Sequence, residues 1–307
     1  MSGRQAVIDH ARACFLRACW LDVAVRKPGN VSQTAPGHGM KASMFIASAQ
    51  AAAGALFEPG ARVGVRIEAA VAATWSAVGC NTNLGIVLLC APIARAIEHC
   101  ADAASALALQ AAIESELAGL DAGDARAAYR AIVRANPGGL GSVPDGDVRQ
   151  APGIDLRAAM TLAAQRDAIA RQYRDGFADL WALARLAPAA VMASNAPPDA
   201  AATAAVQRLY LACLSAFPDS HIVRKHGEGV AHTVMRAAQN WRRRAEADPA
   251  LALDADPAFC AWDRSLKAAR INPGTSADFT VAALWLSGCL GARGAAARES
   301  KGRWHES

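Results

Sequence analysis

Strand signatures are scarce in this chain. Aromatic residues make up 6% of its 307 positions, tyrosine occurs 3 times, and alternating runs rich in Val, Ile and Thr are hard to find. Alanine-dominated stretches with apolar residues every three to four positions take their place. This excludes a sandwich or barrel and predicts an all-α protein. No apolar run is long enough to cross a bilayer. The most apolar one, Leu84 to Ile97, is interrupted by Pro92 and Arg95 and reads as a core helix. A Cys-x-x-Cys pair is also missing. Cys14, Cys19, Cys80, Cys90, Cys100, Cys213, Cys260 and Cys289 are scattered through apolar stretches without an adjacent His to complete a zinc site, and they read as buried, reduced thiols. Neither charge sign dominates. The net charge of +5 is spread along helices without interleaved aromatics, so a polyanionic small molecule is a better partner than nucleic acid. The one tight basic run, Arg242 to Arg244, splays over different helix faces. Arg4, Asp9, His10 and Arg12 interrupt any signal sequence, so a cytoplasmic protein off the membrane is expected.

What is present is a hydrophobic content of 53%, ample for a sizeable core. Helical periodicity runs through about ten segments, near 4–25, 39–56, 60–79, 83–99, 103–118, 122–135, 155–187, 199–216, 227–247 and 254–294, the last with a break at Pro273. No fixed repeat appears, which favours a single compact irregular bundle over a solenoid. Residues 1–295 are expected to form one domain and 296–307 a flexible tail. The span 136–153, with Gly138, Gly139, Leu140, Gly141, Asp145 and Asp147, is too polar in composition for a mere spacer. Trp181, Leu186 and the Ala-rich helices offer a face for a homodimer.

Four polar islands interrupt the helices. In the first, Lys27 supplies a charge, Pro28 stops a helix, Gly29 permits a close backbone approach, and Asn30 and Ser32 add hydrogen-bonding groups. Either the loop holds an anion, or Pro-Gly ends a helix beside a solvated Lys27. The second, Asn81-Thr82-Asn83-Leu84-Gly85, precedes the apolar helix. It serves as capping or as a phosphate or ribose site at exposed N–H groups. The third, Asn272 to Asp278, sets Pro273, Gly274, Thr275 and Ser276 ahead of another helix. It fits an anion site or a plain Ser cap with Asp278 as dipole partner. The fourth holds Asp219, His221, Arg224, Lys225 and His226. Its spacing matches no zinc signature and suits a magnesium–triphosphate group or a charged surface loop. On the long helix from Asp155, adjacent Arg166 and Asp167 point to different sides. They form interhelical ion pairs, or one of them faces a polar cavity.

Taken in order, these islands resemble those of the triphosphoribosyl-dephospho-CoA synthase (CitG-like) family across nearly the whole chain. The family's Lys-Pro-Gly-Leu-Val-Asp is matched by Lys27 to Ser32, and its Asn-Thr-His-Lys-Gly by Asn81 to Gly85. An Asp-Thr-Asn segment resembles Asp219 to His221, and Asn-Leu-Ser-Pro-Gly-Gly-Ser-Ala-Asp resembles Arg270 to Asp278. The resemblance implies an all-helical enzyme whose polar loops converge on a central cavity. It takes ATP and 3′-dephospho-CoA, joins the ATP ribose to a ribose hydroxyl of the acceptor and releases adenine. By that analogy Asp219, His221 and Asp278 are catalytic, with His221 the candidate acid and Asp219 and Asp278 holding Mg²⁺ or stabilising the sugar. Lys27, Asn30, Ser32, Asn81, Asn83, Arg166, Arg224, Asn272, Gly274 and Ser276 bind phosphates and substrate. The chain departs from the pattern at Ser32, at Asn83-Leu84 and in lacking an Arg-Gly-Glu-Ala segment. These departures resemble a divergent branch associated with one-carbon (methanopterin-type) cofactor synthesis, which leaves the acceptor open. Two further readings stand beside it. One is a helical metal-dependent nucleotide phosphohydrolase using Asp219, His221 and Asp278, without a P-loop or tandem His-Asp motif. The other is a scaffold whose islands are only caps and turns.

Overall fold

A computed structural model describes residues 3–100, 105–138, 147–150 and 152–302. Gly139, Leu140, Gly141 and Asp145 of the Gly-rich span lie outside the described residues, as do 303–307. Among the described residues the chain forms fifteen α-helices, one short 3-10 turn at 253–255 and no strand. In chain order the helices are α1 (Gly3–Ala24), α2 (Ala42–Leu56), α3 (Val63–Val78), α4 (Leu84–His99), α5 (Ala106–Ala118), α6 (Ala122–Ala135), α7 (Leu156–Ala163) and α8 (Ala168–Arg174). They continue with α9 (Ala178–Leu186), α10 (Ala189–Met192), α11 (Ala200–Ala216), α12 (Ser220–His226), α13 (Glu228–Ala247), α14 (Pro257–Ala268) and α15 (Gly274–Gly302). The all-α class read from the sequence is the observed one.

Of the five helices beyond the expected ten, two arise because the 155–187 segment is three helices, and the others are the short α10 and α12 and the division of the last segment into α14 and α15. Asp167 turns its side chain back onto the N–H groups of Ile169 and Ala170, which caps a new helix where periodicity alone continues the old one. Gly176 and Phe177, with φ of 62° and 61°, then reverse the chain between α8 and α9. Side-chain caps of the same kind start α5 (Ser105), α6 (Asp121), α7 (Asp155), α11 (Asp199), α12 (Asp219) and α14 (Asp256). Each satisfies N–H groups that a helix start leaves without a partner.

Two helices form the centre. In α4 every residue from 86 to 94 is buried, and in α15 every residue from 279 to 286. Pro92 sits inside α4 and has no N–H to give the Leu88 carbonyl. The Tyr173 hydroxyl donates to that carbonyl instead, at 2.7 Å. Trp285 of α15 donates its indole N–H to the Ala11 carbonyl of α1 at 2.8 Å and packs edge-on against Phe15 and Phe57. A second apolar cluster, with Tyr210, Leu214, Trp241 and Phe259, lies under α11 to α14. Helix α11 serves both, giving Val206, Leu209 and Cys213 to the main core and Tyr210, Leu211 and Leu214 to the second. Trp181, expected on a dimer face, is 5% exposed and belongs to the main core, whereas Leu186 is exposed. All eight cysteines are free thiols; Cys80, Cys100 and Cys260 are only partly buried. Among the described residues no single helix is long and apolar enough to cross a membrane.

Candidate active site

The starts of α4, α8, α12 and α15 and the ends of α1 and α6 meet around a cavity of about 660 Å³. Of the residues singled out in the sequence, Asn30, Asn81, Asn83, Arg166, His221, Arg224, Asn272, Gly274 and Asp278 line it. Lys27, Ser32, Asp219 and Ser276 do not, and in each case the reason is visible in their hydrogen bonds.

Asp278 stands at the start of the second turn of α15 and is partly accessible from the cavity. Its carboxylate occupies the space a side chain at Gly85 would need, so the glycine at the start of α4 is what admits it. It makes no hydrogen bond among the described residues. Burial, reinforced by the charges of Asp22 and Asp219, pushes its carboxyl well above the usual carboxylate range, with Arg224 opposing. Asp219 is the opposite case. It is fully buried, and its Oδ1 caps α12 by accepting from the N–H groups of His221 (2.9 Å) and Ile222 (3.1 Å). Its Oδ2 accepts from the backbone N–H (2.7 Å) and hydroxyl (2.8 Å) of Ser276. Four donors occupy both oxygens, so Asp219 and Ser276 staple α12 to α15 and present nothing to a ligand. Burial still raises this carboxyl, against the pull of the same donors.

His221 opens α12, its ring packed on Gly274, where a Cβ would come 3.1 Å from Nδ1. Its Nε2 is buried without a partner. Burial lowers its pKa to about 3, helped by nearby Lys225 and Arg224, so the imidazole is neutral near pH 7. A neutral imidazole suits a base or a hydrogen-bonding group better than the acid expected from the sequence. Arg224 pairs with Asp167 Oδ2 at 2.7 Å while its Nε is buried and unpartnered. Arg166 and the exposed Lys225 also line the cavity and have no ion-pair partner among the described residues.

The 27–30 loop acts through its neighbours. Lys27 is fully buried, and its ammonium donates to the Asp22 carboxylate (2.6 Å), the Asp22 carbonyl (2.5 Å) and Asn30 Oδ1 (3.3 Å). It therefore orients Asp22, which does line the cavity, instead of meeting a phosphate. Gly29, with φ of 80°, is approached by protein and not by ligand: a Cβ there would come 2.8 Å from Pro273 Cδ. Asn30 Nδ2 donates to Asn272 Oδ1 at 3.0 Å and ties the two loops together. Ser32 is buried in a turn beside Thr34, away from the cavity. Asn81 caps α4 by accepting from the Leu84 N–H at 3.2 Å, and Asn83 reaches the Ser48 carbonyl at 3.4 Å.

Asp22, Tyr129 and Trp75 were not among the candidates, yet all line the cavity, as do Asp167 and Lys225, for which the sequence left a cavity role open. Asp22 carried a legible signal, a lone acid in the apolar run Cys19-Trp20-Leu21-Asp22-Val23. For Trp75 and Tyr129 helical periodicity offers nothing to separate a cavity wall from core. No group of three or more His, Cys, Asp or Glu among the described residues is arranged to hold a metal ion. With the oxygens of Asp219 occupied, Asp278 alone of the two expected ligands keeps free oxygens, and Asp22 is the acid that acts on it most strongly.

The sequence profile of the ATP:dephospho-CoA triphosphoribosyl transferase (CitG) family matches residues 8–295. Among solved structures, one from Archaeoglobus fulgidus, whose proposed identity is triphosphoribosyl-dephospho-CoA synthase, superposes with a TM-score of 0.61 at 23% identity. The match covers 80% of this chain and 98% of that one and establishes the shared fold. No curated protein sequence matches the chain.

Proposed function

We propose, for a chain that belongs to the ATP:dephospho-CoA triphosphoribosyl transferase family, that its cavity moves the 5-triphosphoribosyl group of ATP onto a ribose hydroxyl of 3′-dephospho-CoA and releases adenine. The observation that carries this reading is the meeting of an unpartnered acid, Asp278, with the cations Arg166, Arg224 and Lys225 in one cavity. In this displacement the bond from the anomeric carbon to adenine breaks and a bond to the acceptor oxygen forms. Positive charge grows on the sugar ring between the two events. In the empty site Asp278 is held toward its neutral form, and the nascent cation would favour its ionisation, so the attraction is strongest at the transition state. Arg166, Arg224 and Lys225, with the N–H groups that open α15 and α4 near Gly274 and Asn83, suit the triphosphate.

The acceptor hydroxyl must lose a proton and the departing adenine must gain one. The neutral ring and unpartnered Nε2 of His221 support its taking the former, and the proton balance closes on the adenine. Binding the triphosphate offsets Arg224 and Lys225 and raises the basicity of His221 in the loaded site. Asn30 and Asn272 brace each other across two loops and hold the floor in shape. Magnesium, when present, would neutralise part of the triphosphate, and Asp278 with Asp22 offers the one or two carboxylates that such a phosphate-borne ion requires.

The test is product analysis. With ATP, Mg²⁺ and dephospho-CoA, adenine should appear in equal amount to the ATP consumed. Orthophosphate in place of adenine would sink the transferase reading in favour of hydrolysis.

A further inference from the structure

Helices α1 and α15, which carry Asp22 and Asp278 to the cavity, also carry a thiol cluster that the transfer reaction does not use. Cys14 Sγ lies 3.2 Å from Nε2 of His10, one helical turn earlier on α1. Across the helix interface it is hydrogen-bonded to the Cys289 thiol of α15. The approach depends on Gly288, where a Cβ would sit 3.1 Å from the Cys14 sulfur. Both cysteines are buried, while His10 is exposed and its Nε2 also lies 3.3 Å from the Gly288 carbonyl oxygen.

The hydrogen bond from Cys289, with His10 adding to it, outweighs burial and brings the Cys14 thiol down to about 5. The other fully enclosed thiols behave in the opposite way, since burial pushes Cys19, Cys90 and Cys213 upward. Near neutral pH the thiolate, which is the reactive form, is therefore concentrated at Cys14. A second sulfur in contact with a thiolate is the arrangement of an attacking and a resolving cysteine.

We propose that Cys14 and Cys289 are a redox modification site, converted by a two-electron oxidant of the peroxide class into a disulfide that joins α1 to α15. The Cys14 thiolate attacks one peroxide oxygen, the O–O bond breaks, and Cys14 becomes a sulfenic acid with release of hydroxide. The Cys289 sulfur then attacks the Cys14 sulfur, the S–O bond breaks, and the S–S bond forms. The leaving oxygen takes up the Cys289 proton. Two thiols and one hydrogen peroxide thus give one disulfide and two waters. The exposed His10 marks the side from which a small oxidant reaches Cys14. Because residues 14 and 289 lie near opposite ends of the sequence, the bond closes almost the whole chain into one loop and restricts its unfolded ensemble.

The full-length protein is treated with equimolar hydrogen peroxide, digested without reduction and mapped by mass spectrometry, with the melting temperature followed in parallel. The expected product is a Cys14–Cys289 linked peptide, reversed by dithiothreitol, together with a rise of several degrees in melting temperature. C289S should lose both the link and the rise. In H10N the linking rate should fall severalfold at pH 6 and recover toward pH 9, which a purely structural role for His10 would not produce. Free thiols at both positions after treatment, a link between other cysteines, or an unchanged pH profile in H10N would overturn the proposal. These readouts do not involve ATP, so they stand or fall separately from the transferase reading.

Discussion

Asp219 and Asp278 are both enclosed carboxyl groups near the cavity, separated in role by the number of donors each has. Asp219 accepts four hydrogen bonds, and Asp278 accepts none among the described residues. A group held in an uncompensated environment costs stability, and that cost has a pH signature. The folded-state pKa of Asp278 lies above its unfolded value, so folding favours the protonated form. Its contribution is intact below the ordinary carboxylate range and declines as pH rises through the gap, by about 1.4 kcal/mol per unit of displacement. D278N should therefore melt higher than wild type at pH 7–8, with the difference shrinking toward pH 4. Its adenine release should fall by roughly 100-fold or more. Scanning calorimetry and adenine chromatography together check this; a variant that is both active and no more stable would remove Asp278 from the chemistry. His221 runs in the other direction. Its folded pKa of about 3 lies below the ordinary value of 6.5, so stability present above pH 6.5 is lost as pH falls from 6.5 toward 3. H221Q should flatten this acid limb in an equilibrium denaturation series measured at stepped pH.

At the scale of elements, α4 depends on groups outside it. The buried α4 tolerates Pro92 because Tyr173 from α8 donates to the carbonyl that the proline leaves unpaired. Y173F keeps the ring and removes the donor, and should cost about 1–3 kcal/mol in urea denaturation with little change in cavity shape. A loss below a few tenths would mean that the Leu88 carbonyl finds another donor. The first turn of α4 is likewise tied to α15 through Gly85, whose missing side chain leaves room for the Asp278 carboxylate. G85A improves intrinsic helix propensity by up to about 1 kcal/mol yet must displace Asp278. It should depress adenine release by at least roughly 10-fold in a protein that stays folded by circular dichroism.

These elements also show why the sequence disclosed some features and hid others. Helix existence was legible because Ala-rich periodicity and Asp or Ser caps are local signals. The division of 155–187 was hidden because Asp167 sits where periodicity continues. Polar islands likewise announce themselves in sequence, and most of them do reach the cavity. What a sequence does not carry is which way each polar group faces. Lys27 turns inward to Asp22, and Ser276 turns to Asp219, because a buried acid nearby takes up their donors first. Asp22, which lines the cavity beside Asp278, lies outside every island.

For the molecule as a whole, a ligand that binds only the native state must raise its melting temperature. ATP with Mg²⁺ at 100 times its dissociation constant adds about 2.7 kcal/mol, or roughly 4 °C for a chain of this size. The shift should be lost in R224A if the triphosphate lies against that guanidinium. Helix α11 sets how such a gain spreads. Its residues 209–215 are buried all round, with the main core on one side and the Trp241 cluster on the other. Neither cluster can open while α11 stays helical, and neither keeps a complete wall once it melts. The amides of this helix should therefore exchange with deuterium only through global opening. Heat should take both halves of the protein apart in one cooperative transition, with α11 as its common hinge pin.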